Sequence, residues 1–170
     1  MKVIIILDQI QAGLGGKERA DTPLGGKKVA LGSAETTAKA LAKVDGEVIG
    51  TFYCGTDYYR EHPELVQEKF TKMAADVVII GPTYDYPEFS QMACELTAAF
   101  QKDTTIPALQ ATALEKNAAI IEQYKDHLLI VKMPKKGDTG LSAAIDHLVE
   151  GCVLAANRED LTAFKNQYCY

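Results

Sequence analysis

No stretch of this chain approaches the ~20 consecutive apolar residues that a membrane-spanning helix requires. The opening run, Val3–Leu7, is only five residues long. The longer apolar core and small-residue cleavage site of a secretion signal are also missing, so the expected compartment is the cytoplasm. The four cysteines, at 54, 94, 152 and 169, include no Cys-x-x-Cys pair, and in such a compartment they read as free thiols rather than as a disulfide framework. The three histidines share no metal-pair spacing, which leaves no expected metal site. There is no basic stripe: the lysine pairs at 27–28 and 135–136 are short, and a net charge of −5 argues against nucleic acid as a partner. Phosphate motifs fail too. Gly13-x-Gly15 meets Glu18 where a dinucleotide fingerprint needs its third glycine. Gly16-Lys17-Glu18 and Gly26-Lys27-Lys28 lack the hydroxyl that completes a P-loop, so no cofactor is expected. Ser33, Ser90 and Ser142 all fall outside a nucleophile-elbow pattern, which leaves a serine triad without a candidate.

What is present is the composition of a folded domain. Hydrophobic residues make up 47% and charged residues 24% of the 170, enough to bury a core of single-domain size. Five apolar runs stand out: Val3–Leu7, Val48–Tyr53, Val77–Ile80, Ile106–Leu109 and Leu128–Val131. Three are nearly continuous Ile, Val and Leu, as in strands buried on both faces. Between them lie helical segments: the Ala-rich Ser33–Lys43; His62–Ala75, opened by Pro63; Pro87–Gln101, with Phe89, Met92, Ala93, Leu96 and Phe100 on one stripe; Leu114–Tyr124; and Leu141–Ala156. A short helix is expected within Glu159–Tyr170. The alternation predicts one domain over residues 1–170, a doubly wound α/β fold with a five-stranded parallel sheet in a flavodoxin-like three-layer arrangement. Gln9–Gly32 breaks the rhythm. It holds six glycines, and a structureless connection of this length in a compact domain is usually functional or disordered, since most run ~4–6 residues.

Ligands of open parallel sheets bind beyond the carboxyl ends of the strands. Those ends here carry Asp8, Gln9 and the glycine-rich segment, then Cys54–Glu61, Gly81–Tyr84, Gln110–Thr112 and Met133–Gly140, all rich in Gly, hydroxyl or charged side chains. The opposite-edge connections, such as Val44–Glu47 and Lys125–His127, read as plain charged turns. Cys54 stands at a strand end before a glycine and near a helix start, where the dipole favours a thiolate, while Asp57 and Glu61 oppose it. It is either a ligand-facing thiol or a small core residue closing the strand. Cys94 and Cys152 read as packing residues. Tyr58, Tyr59, Tyr84 and Tyr86 cluster in two of these loops, either as an aromatic pocket for an amine or zwitterion or as packing caps.

Two of these loops carry a resemblance. Asp8-Gln9-Ile10-Gln11-Ala12-Gly13-Leu14-Gly15-Gly16-Lys17-Glu18-Arg19-Ala20-Asp21 resembles the N-terminal signature of the substrate-specific selenoprotein B subunit of the glycine/sarcosine/betaine reductases. Cys54-Gly55-Thr56-Asp57-Tyr58-Tyr59-Arg60-Glu61 is similar to that family's Cys-Gly-Asp-x-Tyr-Phe segment, and Gly81-Pro82, Ala93-Cys94, Ile106-Pro107 and Glu115-Lys116-Asn117 fall in the same order. The similarity spans nearly all of the chain but only the first part of the family's longer subunit. It implies chemistry on the C–N bond of a small amine, with a selenocysteine in a C-terminal half that has no counterpart here. Glu88-Phe89-Ser90-Gln91-Met92 departs from the Gly-Arg-Tyr-Gly stretch expected before Ala-Cys, and Glu95 replaces a glycine, so the substrate is expected to differ. On this resemblance Cys54 would be the nucleophile or redox thiol, and the glycine loop (Gly13, Gly15, Gly16) with Lys17 or Arg19 would hold a carboxylate. Asp57, Tyr58, Tyr59, Glu61 and Tyr84 would face the amine. A small amine or amino-acid-like ligand, a partner chain supplying the redox centre, and self-association into a homo-oligomer are the expected partners. The rival is a non-catalytic binding or structural subunit on the same fold.

Overall fold

The computed structural model describes residues 1–170. Six strands, β1 (Lys2–Leu7), β2 (Gly25–Lys27), β3 (Glu47–Tyr53), β4 (Val77–Tyr84), β5 (Ala108–Thr112) and β6 (Ile130–Lys132), form one sheet in the order β2-β3-β1-β4-β5-β6. The helices are α1 (Ala34–Ala42), α2 (Thr56–Glu61), α3 (Pro63–Thr71), α4 (Pro87–Asp103), α5 (Ala118–Tyr124), α6 (Leu141–Ala156) and α7 (Thr162–Tyr168). None is long and apolar enough to cross a membrane.

β3, β1, β4, β5 and β6 run parallel, while β2 pairs antiparallel with β3, Gly25 opposite Tyr53 and Lys27 opposite Thr51. The α/β expectation holds, but the sheet is six-stranded and mixed, not five-stranded and parallel. The extra strand comes from the glycine-rich segment. A three-residue strand containing two glycines carries no apolar signal, and the Tyr53 and Phe52 rings lie where β-carbons at Gly25 and Gly26 would stand.

β1 is buried on both faces, as its unbroken Ile/Val/Leu run predicts. Val3, Ile5 and Leu7 pack with Leu41 of α1, Leu148 of α6 and Phe164 of α7. Ile4 and Ile6 pack on the other side with Tyr59 of α2, Phe70 of α3, and Phe89 and Phe100 of α4. α4 opens with Pro87, and its predicted stripe is buried in full. Each fully buried phenylalanine contributes about 1.5–3 kcal/mol. The α3 stripe is narrower than its periodicity suggests, because Leu65 is 45% exposed. Boundaries shift as well: β4 continues past Ile80 to Tyr84, β5 starts at Ala108 and β6 at Ile130. α2 forms where a loop is expected, since Thr56–Glu61 has no apolar period of its own.

Candidate functional site

At its carboxyl end β1 passes directly into a turn. The Asp8 carbonyl accepts the Ala12 N–H at 3.0 Å, and the Asp8 carboxylate Oδ1 accepts the Gln11 N–H at 2.7 Å. The side chain is 1% exposed and has no side-chain partner. Burial pushes its pKa up to about 6, against the opposing pull of the Gln11 and Ile10 backbone N–H groups and the Lys136 charge.

Gln9, equally buried, ties the glycine-rich segment to α2. Its Nε2 donates to the Gly16 carbonyl at 3.4 Å and its Oε1 accepts the Thr56 N–H at 3.3 Å. The Gly55 N–H donates to the Thr22 carbonyl at 2.8 Å, and the Asp57 and Tyr58 N–H groups to that of Ala20 at 2.9 and 3.1 Å. At Gly55 a β-carbon would run into the Ala20 carbonyl and the Thr22 nitrogen, so only glycine lets the two loops touch. The segment is therefore folded onto the sheet edge, with a 3₁₀ turn at Lys17–Arg19 and the strand β2, rather than structureless.

These contacts enclose a cleft of about 170 Å³, walled by Asp8, Gln9, Lys17, Asp57, Tyr86 and Glu88. The Lys136 ammonium lies 5.9 Å from the centroid of the Tyr86 ring, and Asp85 accepts Lys116 Nζ at 3.1 Å. Three carboxylates and one ammonium line the cleft, with Arg60 paired to Asp57 and Lys136 beside Tyr86 as neighbouring cations. A buried carboxyl whose pKa has risen toward neutrality can bind an ammonium when ionised or hold a proton when neutral.

Of the residues given a role from sequence, Lys17 and Asp57 share this cleft, and Asp57 also pairs with Arg60 at 2.8 Å. Tyr59 lies beside it, buried, its hydroxyl accepting Gln67 Nε2 at 2.8 Å; burial pushes the phenol pKa up. Tyr58 packs on the His62 ring at 4.7 Å between centroids, and Glu61 is exposed at the end of α2. Gly13 and Gly15 hold φ values of +75° and +131°, the Gly16 carbonyl is taken by Gln9, and Arg19 is exposed. Tyr84 is buried in the core on the opposite face of the sheet, and its carbonyl accepts Asn117 Nδ2 at 2.9 Å. Cys54 does not line the cleft. It has no exposure and packs in the core shared by Ile6, Tyr59 and Phe70, and burial pushes the thiol up to about 12.

Asp8, Gln9 and Glu88 also stand on the wall, although the sequence assigns none of them a particular role in binding, and Tyr86, one of the four clustered tyrosines, joins them. For Asp8 and Gln9 the signal is position: they are the first polar residues after a continuous apolar strand. The opposite edge is also less plain than its turns suggest, with a groove of about 290 Å³ whose lining includes Thr104, Pro107, His127 and Arg158.

Against this geometry stand the chain's similarities to known proteins. A model of the glycine/sarcosine/betaine reductase selenoprotein B family matches residues 1–170. A sarcosine reductase complex component B subunit beta from Peptoclostridium acidaminophilum is 26% identical over 148 residues, covering 85% of this chain and 32% of that subunit. A glycine reductase complex component B subunit gamma from the same organism is 28% identical over 149 residues, with the same coverages. The gamma subunit from Carboxydothermus hydrogenoformans is 29% identical over 135 residues, covering 76% of this chain and 30% of that subunit. The chain thus spans about a third of the length of these curated relatives.

Proposed function

The chain belongs to the glycine/sarcosine/betaine reductase selenoprotein B family, and from that premise we propose a cytoplasmic, component B-like protein that holds a small amine or amino-acid-like ligand in the cleft at Asp8. The observation that carries this reading is a buried carboxylate, free of any side-chain partner, on the wall of a cleft at the carboxyl edge of the parallel strands. Ionised Asp8 would take the ammonium, and the Lys17 ammonium would take the ligand's carboxylate. Because Asp8 ionises as pH rises through about 6, while a simple amine stays protonated well above that, binding would strengthen across the same interval.

Redox chemistry would come from a partner chain, in keeping with relatives that are named as subunits of reductase complexes. Cys54 favours a second reading, a binding subunit without chemistry of its own: its thiol is sealed in the core, so the cleft holds no nucleophilic sulfur. Calorimetric titration of the whole chain with glycine, sarcosine and betaine tests the binding reading. Saturable heat from at least one, stronger at pH ~7.5 than at pH ~5, is expected; silence from all three at both pH values would remove it. Mixing the loaded chain with an independently purified redox subunit then separates the two readings, through product formation or its absence.

A further inference from the structure

A larger cleft adjoins the one at Asp8. The second is about 530 Å³, and the two share Thr56, Asp57 and Glu88. Its own walls are Tyr59, Arg60, Gln91, Met92 and Glu95, between Pro63 and Pro87. The smaller lobe falls below the ~300–1,000 Å³ typical of ligand pockets and the larger falls within that range. A two-carbon amino acid at Asp8 would leave the larger lobe unfilled.

The larger lobe has a built polar end. Gln91 Nε2 donates to Glu95 Oε1 at 2.7 Å and reaches the Tyr124 hydroxyl at 3.3 Å, which fixes a half-buried carboxylate on the wall. The chain's five ion pairs involve neither Glu95 nor Glu88, and Arg60, the one cationic side chain on the wall, is engaged by Asp57. The Tyr59 ring, the Met92 thioether and the two prolines offer apolar surface for methylenes between the ends. At the other end stands Asp8, 1% exposed and without a side-chain partner. Between Asp8 and Glu95 the lobes share Thr56, Glu88 and the Arg60-paired Asp57. The groove thus carries three carboxylates outside any ion pair, at Asp8, Glu88 and Glu95, and fits a chain-like dication.

We propose that the larger lobe is a subsite for the far amino group of an elongated ligand, so that the chain takes an α,ω-diamine or an amino acid with an amino-terminated side chain. The proposal rests on the reading of the Asp8 lobe as an amine site. Its test is calorimetric titration of the whole chain, near neutral pH, with butylamine, putrescine, cadaverine and hexamethylenediamine. At least one diamine should bind about tenfold or more tighter than butylamine, the scale of one charge-assisted hydrogen bond. Glu95→Gln should erase that advantage and leave butylamine affinity unchanged. Equal affinity for mono- and diamines, or a diamine advantage that survives Glu95→Gln, overturns the subsite alone. No binding by any of the four amines, with glycine, sarcosine or betaine still bound, overturns the subsite alone; silence from all of these ligands overturns it together with the amine reading of the Asp8 lobe.

Discussion

Replacing Asp8 by asparagine should make this protein more stable. The amide side chain retains an oxygen for the Gln11 N–H, which the carboxylate accepts at 2.7 Å, but it carries no charge to desolvate. The sign follows from linkage. Burial raises the carboxyl from the ordinary 3.8 to about 6, so the folded state holds the proton more tightly than the unfolded chain. The contribution is fully present below pH 3.8 and is lost as pH rises to about 6. At ~1.36 kcal/mol per pH unit, the loss amounts to about 3 kcal/mol. Asp8→Asn should therefore match the parent at pH ~4 and exceed it by about 3 kcal/mol at pH ~8. In a chain of this size that is a rise in Tm of about 6–12 °C. Urea melts of both proteins at the two pH values read the difference directly. A variant that is less stable at pH ~8, or a difference that does not change with pH, would mean that desolvation of this carboxylate is not the dominant effect.

Three further outcomes follow from buried geometry. At pH ~8 a thiol whose pKa is near 12 is ionised to about one part in ten thousand. Iodoacetamide should thus spare Cys54 in the native protein and label it after denaturation, as read by peptide mass spectrometry; rapid native labelling would contradict its burial. Gly55→Ala forces a β-carbon against the Ala20 carbonyl and Thr22 nitrogen and should cost at least about 2 kcal/mol in chemical denaturation. An unchanged midpoint would mean that the two loops are not in contact. Thr83→Val removes a hydroxyl bonded to Ser90 at 2.8 Å and Thr112 at 3.0 Å, all three fully buried. It should lower stability by about 1–3 kcal/mol with an unchanged urea m-value.

The strands that lie in the middle of the sheet were legible because burial on both faces leaves an unbroken apolar run, as in Val3–Leu7 and Val77–Ile80. β2 was not, because Gly25 and Gly26 form a strand through backbone pairing and the close approach of Tyr53 and Phe52, neither of which leaves a local signal. α2 escaped for a related reason: the N–H groups of Asp57 and Tyr58 at its start are satisfied by a distant carbonyl, that of Ala20. The strand-end rule points to the edge where this cleft lies, and Lys17 and Asp57 both line it. Cys54 shows the limit of that rule. A strand-end position next to a glycine fits both a cleft residue and a core residue, and only the packing of Tyr59 and Phe70 over it decides between them. The importance of Asp8 depends on its desolvation, a property of the folded surroundings rather than of the residues on either side.

If the Asp8 carboxylate is kept buried in order to receive an amine, its charge must matter more to the ligand than to the fold. Titrating wild-type and Asp8→Asn protein with the best-binding amine, in one calorimetric series at pH ~8, sets the two against each other. The wild type should bind saturably, and the variant should lose about tenfold or more in affinity, even though it is the more stable of the two. Undiminished affinity in Asp8→Asn would show that the carboxylate does not hold the amine.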